Sequence, residues 1–276
     1  MIMRLFAICL LAPVALWGLW PHGHAKLDSP ELVRIPAGAY TYRPPGEFRL
    51  GNRVVDAPME ERQATVDLAI LKYQVSEADY VRCVVDGACS GLVGAGSADY
   101  PQIGVSYTDA VAYAQWFSDQ TGQQWRLPTD AEWMRAAADR AFDDVAAAGA
   151  DSSDPSRRWL ASYRRETALR GAADPVRHPI GFVPESESGV ADMAGNVWEW
   201  TGTCMQNGRV SADGQRIVAT TDYCGVRAVQ GKHRAFVITF VRDARSGGCA
   251  TGVPPDYLGF RLVHEDGAAQ LPVPPA

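Results

Sequence analysis

Three stretches of the chain place apolar residues at helical spacing behind a side chain able to cap a helix. Ser76-Glu77-Ala78-Asp79 sets an acceptor three residues before a carboxylate; Tyr80, Val81 and Val84 then share a face, and Gly87 is a natural stop. Ser106-Tyr107-Thr108-Asp109 repeats the pattern, with Ala110, Tyr113, Ala114 and Phe117 as the apolar stripe and Gly122 ending it. Thr129-Asp130-Ala131-Glu132 is a full capping box followed by Trp133, Ala136 and Ala137. Shorter apolar runs bounded by Gly and Pro predict strands over residues 32–38, 65–73, 236–241 and 260–263. Residues 44–58 read as loop. Residues 142–174, rich in Ala, Asp, Ser and Arg with little period, read as a long irregular excursion. No internal repeat or heptad is present, and the Pro-rich end, residues 267–276, is expected to be a disordered tail.

Composition narrows this picture. A chain of 276 residues, 47% hydrophobic and 21% charged, can bury one large core. The net charge of -6, with Lys and Arg scattered among acids, gives no basic stripe and argues against a nucleic-acid partner. Arg4 precedes an apolar run over residues 5–20, then Pro21, Gly23 and Ala25, which match the regions of a secretory signal; the alternative is a retained N-terminal anchor. The expected organisation is a signal peptide over residues 1–25, one domain over 26–266 and the tail, in a protein exported to the periplasm with no other membrane segment.

Export makes disulfides reasonable. Cys83 and Cys89 flank a short segment containing Gly87 and can close a small loop; Cys204 and Cys224 bracket a polar stretch without strong periodicity that a bridge would staple. Cys249 is then the odd thiol, either buried and inert or reactive.

Two motifs carry candidate chemistry. In residues 125–133, Trp-Arg-Leu-Pro-Thr-Asp-Ala-Glu-Trp, an extended segment meets a capped helix, a fold-building corner. Residues 191–200, Ala-Asp-Met-Ala-Gly-Asn-Val-Trp-Glu-Trp, bring amide, carboxylate and backbone oxygens close together. They either suit a hard cation such as calcium or satisfy buried backbone groups. These two strings, the segment from Ile103 to Pro128 and the closing Leu-Gly-Phe-Arg-Leu-Val resemble, in order, the hallmarks of the formylglycine-generating enzyme and sulfatase-modifying factor family. The resemblance covers nearly all of residues 32–263. It implies an irregular single-domain α+β fold, distantly similar to C-type lectins, with low regular secondary structure and a structural calcium ion held by Asn196, Glu199 and the backbone of Val197.

One departure matters for function. Family enzymes hold copper(I) with two cysteines before the final Gly-Phe-Arg and use it to oxidise a substrate cysteine, because soft sulfur selects copper(I). The corresponding residues here, 227–242, contain no cysteine, and Gln230-Gly231-Lys232-His233 stands where the family has Arg-Gly-Gly-Ser. Formylglycine-generating oxidation and copper binding are therefore not expected. No H-x-x-x-H pattern supplies another metal site. His233 is either an acid, base or ligand, or a packing residue. Arg242 and Arg245 beside Cys249 either line a polar groove with it or form a solvated ion-pair cluster.

Gly46-Glu47-Phe48-Arg49, Cys83, Cys89 and Arg245-Ser246-Gly247-Gly248-Cys249 are similar to the NirV-type accessory proteins associated with copper nitrite reductase. The expected role is a periplasmic accessory or maturation factor for a protein partner, with His233, Arg242, Arg245 and Cys249 as the candidate groove. The alternatives are an oxidoreductase of the pyoverdine-maturation type and a lectin-like binding module.

Overall fold

A computed structural model describes residues 30–92, 97–141, 176–246 and 257–265, with Pro255, the backbone of Cys249–Thr251 and scattered positions between 154 and 168. The expected signal peptide, most of the excursion over 142–174, the tail and the side chain of Cys249 lie outside the described residues. Among the described residues no helix is long and apolar enough to cross a membrane.

The predicted helices form where their caps place them. The first, α1 (Glu77–Val85), starts at Ser76, whose hydroxyl accepts the Asp79 N–H; α2 (Tyr107–Thr121) and α3 (Asp130–Ala137) carry complete capping boxes from Ser106 with Asp109 and from Thr129 with Glu132. Gly122 ends α2 in the left-handed conformation at φ 68°. The stripe of α2 buries Tyr113, Trp116 and Phe117 in the main core, where the Tyr113 ring stacks between Tyr80 and Phe117 and meets the edge of Phe260.

The strands are β1 (Leu32–Ile35), β2 (Gly38–Tyr42), β3 (Gly46–Leu50), β4 (Arg53–Val55), β5 (Glu60–Ala64), β6 (Leu68–Leu71), β7 (Trp125–Arg126), β8 (Trp198–Val210), β9 (Ile217–Gln230), β10 (Arg234–Ile238), β11 (Cys249–Thr251), β12 (Leu258–Gly259) and β13 (Val263–His264). They make a four-stranded sheet ordered β1-β6-β13-β7, a larger sheet ordered β11-β10-β9-β8-β3-β4 with β12 on β8, and the pair β2-β5. Among the described residues no sheet closes on itself, and the mixture of few helices and several small sheets is the α+β class expected.

Two expectations need correction. Residues 46–55 are not loop: β3 and β4 pair with each other, and β3 runs parallel to β8. A side chain at Gly46 would lie 2.0 Å from the Gln206 carbonyl oxygen, so only glycine lets the two backbones meet there. Nor are the strands after residue 190 confined to the predicted 236–241 and 260–263, because β8 and β9 form an antiparallel hairpin of 13 and 14 residues. The Cys204–Cys224 disulfide bridges its two strands, and Cys83–Cys89 closes the turn after α1.

Candidate functional site

The two long motifs and the closing Leu-Gly-Phe-Arg-Leu-Val meet in the centre of the molecule. The Asn-Val-Trp-Glu-Trp run feeds β8, and β12 lies parallel to its first two residues, which brings Arg261 beneath Glu199. Arg261 donates to the Glu199 carboxylate through Nε at 2.6 Å and through a terminal nitrogen at 2.7 Å. The Trp133 indole N–H adds a bond of 3.0 Å to one oxygen, and the Gln74 amide one of 2.8 Å to the other. Arg261 spends its remaining donors on the carbonyls of Leu71, Lys72 and Ala191. Neither Glu199 nor Arg261 exposes any surface, so each charge depends on its partner for the solvation it has lost.

This geometry tests the calcium expectation, and the residues do not fit. Four N–H donors already crowd the Glu199 oxygens, two of them from the Arg261 guanidinium, whose charge would repel a cation. Asn196 is turned to the backbone: its Oδ1 accepts the His178 N–H at 3.1 Å and its amide donates to the His178 carbonyl at 3.0 Å. Val197 is buried beside them. Of the two readings of this motif, the satisfaction of buried polar groups is the one the geometry carries. Neighbouring Asp192 accepts the N–H groups of Gly181 and Val183, yet burial still raises its carboxyl above the ordinary range.

Residues 227–242, which stand where the family holds its thiolates, form the end of β9, a turn and β10. Gln230 and Arg234 both reach the buried Asp130 of α3, at 2.7 and 2.9 Å, and Tyr42 donates to the same carboxylate at 2.8 Å. Burial, followed by the Asp130 charge, pushes the Tyr42 phenol far above its usual value, so it stays protonated as the donor. Gly231 lies on the Trp198 indole, where any Cβ would come within 2.5 Å of the ring. His233 is only 2% exposed; its carbonyl accepts the Trp198 indole N–H at 3.1 Å, its ring packs edge-on to Trp198, and its Nδ1 donates to the Arg234 carbonyl at 3.0 Å. These contacts pack the ring into the core beside Trp198.

His233, Arg242 and Arg245 each face a different partner. His233 precedes β10, whose extension carries Ile238 roughly 16 Å away before the chain turns towards Arg242. Arg242 grips Asp109 with bonds of 2.7 and 2.8 Å, while Arg245 pairs with Asp243 and lies over the Tyr257 ring at 4.6 Å. The backbone of Cys249 runs beside Val237. Beside these arginines Phe240 stands 74% exposed, and Arg227 lies over the Tyr107 ring at 4.4 Å. Sequence reasoning missed Phe240 because nothing in its neighbours distinguishes it from a buried strand residue. A separate cleft of about 420 Å³, lined by Tyr40, Tyr42, Met59, Met134 and Arg135, contains none of the predicted site residues.

The family described as "Sulfatase-modifying factor enzyme 1-like domain" matches residues 21–266. The formylglycine-generating enzyme of Mycobacterium tuberculosis is 39% identical over 113 residues, 38% of this chain and 34% of that protein. The inactive C-alpha-formylglycine-generating enzyme 2 of Bos taurus is 28% identical over 176 residues, 63% of this chain and 52% of that protein. The matches thus span about a third to a half of these relatives. The structure of PvdO from Pseudomonas aeruginosa superposes with a TM-score of 0.52 at 21% identity, over 86% of this chain and 94% of that one, a likeness of fold. With the hallmark residues Trp133, Glu199 and Arg261 locked in one core network and the match running almost the whole length, the chain belongs to the sulfatase-modifying factor enzyme 1-like family.

Proposed function

We propose that this chain is an exported accessory or maturation factor, one that uses the family fold to bind a partner protein without oxidising it, and that the partner is a copper nitrite reductase. The observation that carries this reading is the make-up of residues 227–242. They offer no thiolate to copper(I), and the turn at Gly231 and His233 is filled by packing against Trp198 and Asp130. Cys204 and Cys224 are joined to each other and are not available as a substitute pair. The similarity of residues 46–49 and 245–249 to NirV-type proteins supplies the partner. The contact surface is the far end of β10, where Phe240 is flanked by Arg242 and Arg245, a combination of exposed aromatic and arginine side chains that suits protein recognition.

The test has two arms. Purified protein supplied with copper(I), oxygen and a sulfatase-derived cysteine peptide is expected to form no aldehyde. In titration calorimetry it is expected to bind copper nitrite reductase, with Phe240→Ala and Arg245→Ala together weakening binding about tenfold or more. Aldehyde formation would overturn the non-oxidase reading, oxygen consumption without a partner would favour an oxidoreductase, and absence of binding would remove the named partner.

A further inference from the structure

Among the described residues, the outer edge of β9 is open over much of its length. On its inner side β9 pairs with β8 from Ile217 to Gln230, but on its outer side β10 covers only Val226–Gln230. The Thr239 N–H reaches the Gly225 carbonyl, and among the described residues no strand lies beyond. Every residue from 218 to 225 is exposed, odd and even positions alike, including Val218 at 58% and Tyr223 at 59%. Among the described residues, positions 218–225 are thus bare on both faces as well as along the edge.

Natural sheets guard such edges with lysine, proline or a covering segment. Residues 217–224 read Ile-Val-Ala-Thr-Thr-Asp-Tyr-Cys, with neither lysine nor proline and with β-branched or aromatic side chains at most positions. The Cys204–Cys224 bridge and the β8 ladder hold this edge in place, so a partner strand would meet a preformed template and little backbone would need ordering.

We propose that this edge pairs with the same edge of a second copy of the chain, in a two-fold antiparallel dimer. The five residues whose register with β8 is unbroken, Ala219 to Tyr223, are self-complementary about Thr221. With Thr221 opposite itself, Thr220 of each copy faces Asp222 of the other, a hydroxyl donor against a carboxylate. Ala219 faces Tyr223, a small side chain beside a large ring, and no two like charges stand directly opposite. Paired positions of the same parity also keep every side chain on one face through the two-fold axis, as an isologous strand pairing requires.

Sedimentation equilibrium of the purified chain across a concentration series is expected to show a reversible monomer–dimer equilibrium. Thr221→Lys, which sets two ammonium groups against each other at the axis, is expected to raise the dimer dissociation constant about tenfold or more, with near-ultraviolet circular dichroism unchanged. In the unmodified protein, amides of residues 218–224 are expected to exchange more slowly as concentration rises, which tests the same contact without any substitution. A chain that stays monomeric throughout the series, a Thr221→Lys dimer as tight as the original, or concentration-independent exchange over 218–224 would each overturn the proposal.

Discussion

Arg261 and Glu199 face each other through two hydrogen bonds of 2.6 and 2.7 Å at a point where neither side chain touches solvent. Removing one partner leaves the other charge buried and unpaired, a defect that typically costs about 3–5 kcal/mol. Arg261→Met and Glu199→Leu are each expected to lower stability by that amount in urea unfolding. The double variant should be less damaged than the sum of the singles, because it leaves no orphaned charge. Additive losses in the double-mutant cycle would show that the pair is not coupled.

Because the Glu199 oxygens are already filled by Arg261, Trp133 and Gln74, stability should not depend on divalent cations at this motif. Thermal midpoints with excess calcium and with a chelator are expected to coincide, since a site that binds only the folded state would shift them with ligand concentration. A rise with calcium that Asn196→Ala abolishes would return the motif to the cation-binding role implied by resemblance.

What the sequence disclosed depended on how far apart the interacting residues lie. Ser106 with Asp109 and Thr129 with Glu132 are local pairs, so their helices could be read from a few adjacent positions. The Cys83–Cys89 bridge was legible for the same reason. Glu199 and Arg261 are 62 residues apart, and no spacing rule links them. The β8–β9 hairpin escaped notice because β9 is exposed on both faces, which erases the inside–outside alternation by which a strand is recognised. The partners of the groove residues were hidden for the same reason as Glu199 and Arg261: His233 meets Trp198 and Arg242 meets Asp109, each far away in sequence.

The two disulfides differ in the loops they close. With sequence separations of 6 and 20, the chain-entropy model assigns about 2 kcal/mol to Cys83–Cys89 and about 3 kcal/mol to Cys204–Cys224. Cys204→Ser with Cys224→Ser should therefore cost more than Cys83→Ser with Cys89→Ser. Urea midpoints compare them directly. Thiol titration of unreduced, denatured chain lacking residues 1–25 should count a single thiol, Cys249, and a higher count would disprove the pairing.

Acid should destabilise the fold through the Asp109–Arg242 and Glu132–Arg126 pairs. Burial alone would raise the Asp109 carboxyl, but hydrogen bonds from Arg242 and Ser106 outweigh it and hold the group below its ordinary value; for Glu132, burial is likewise outweighed by Arg126 and Thr129. A carboxylate depressed in the folded state stabilises fully above its unfolded pKa, about 3.9 for Asp and 4.3 for Glu, and loses that contribution as pH falls through the lower folded value. Asp192 has the reverse sign: raised by burial, its contribution is present below the unfolded value and is lost as pH rises through the folded one. Asp109→Asn is therefore expected to be less stable than the original at pH 7 and to lose less on acidification, so that the two stability curves converge as pH falls through the lowered Asp109 value. Parallel curves from pH 7 downward would mean that Arg242 confers no pH-dependent stability through Asp109.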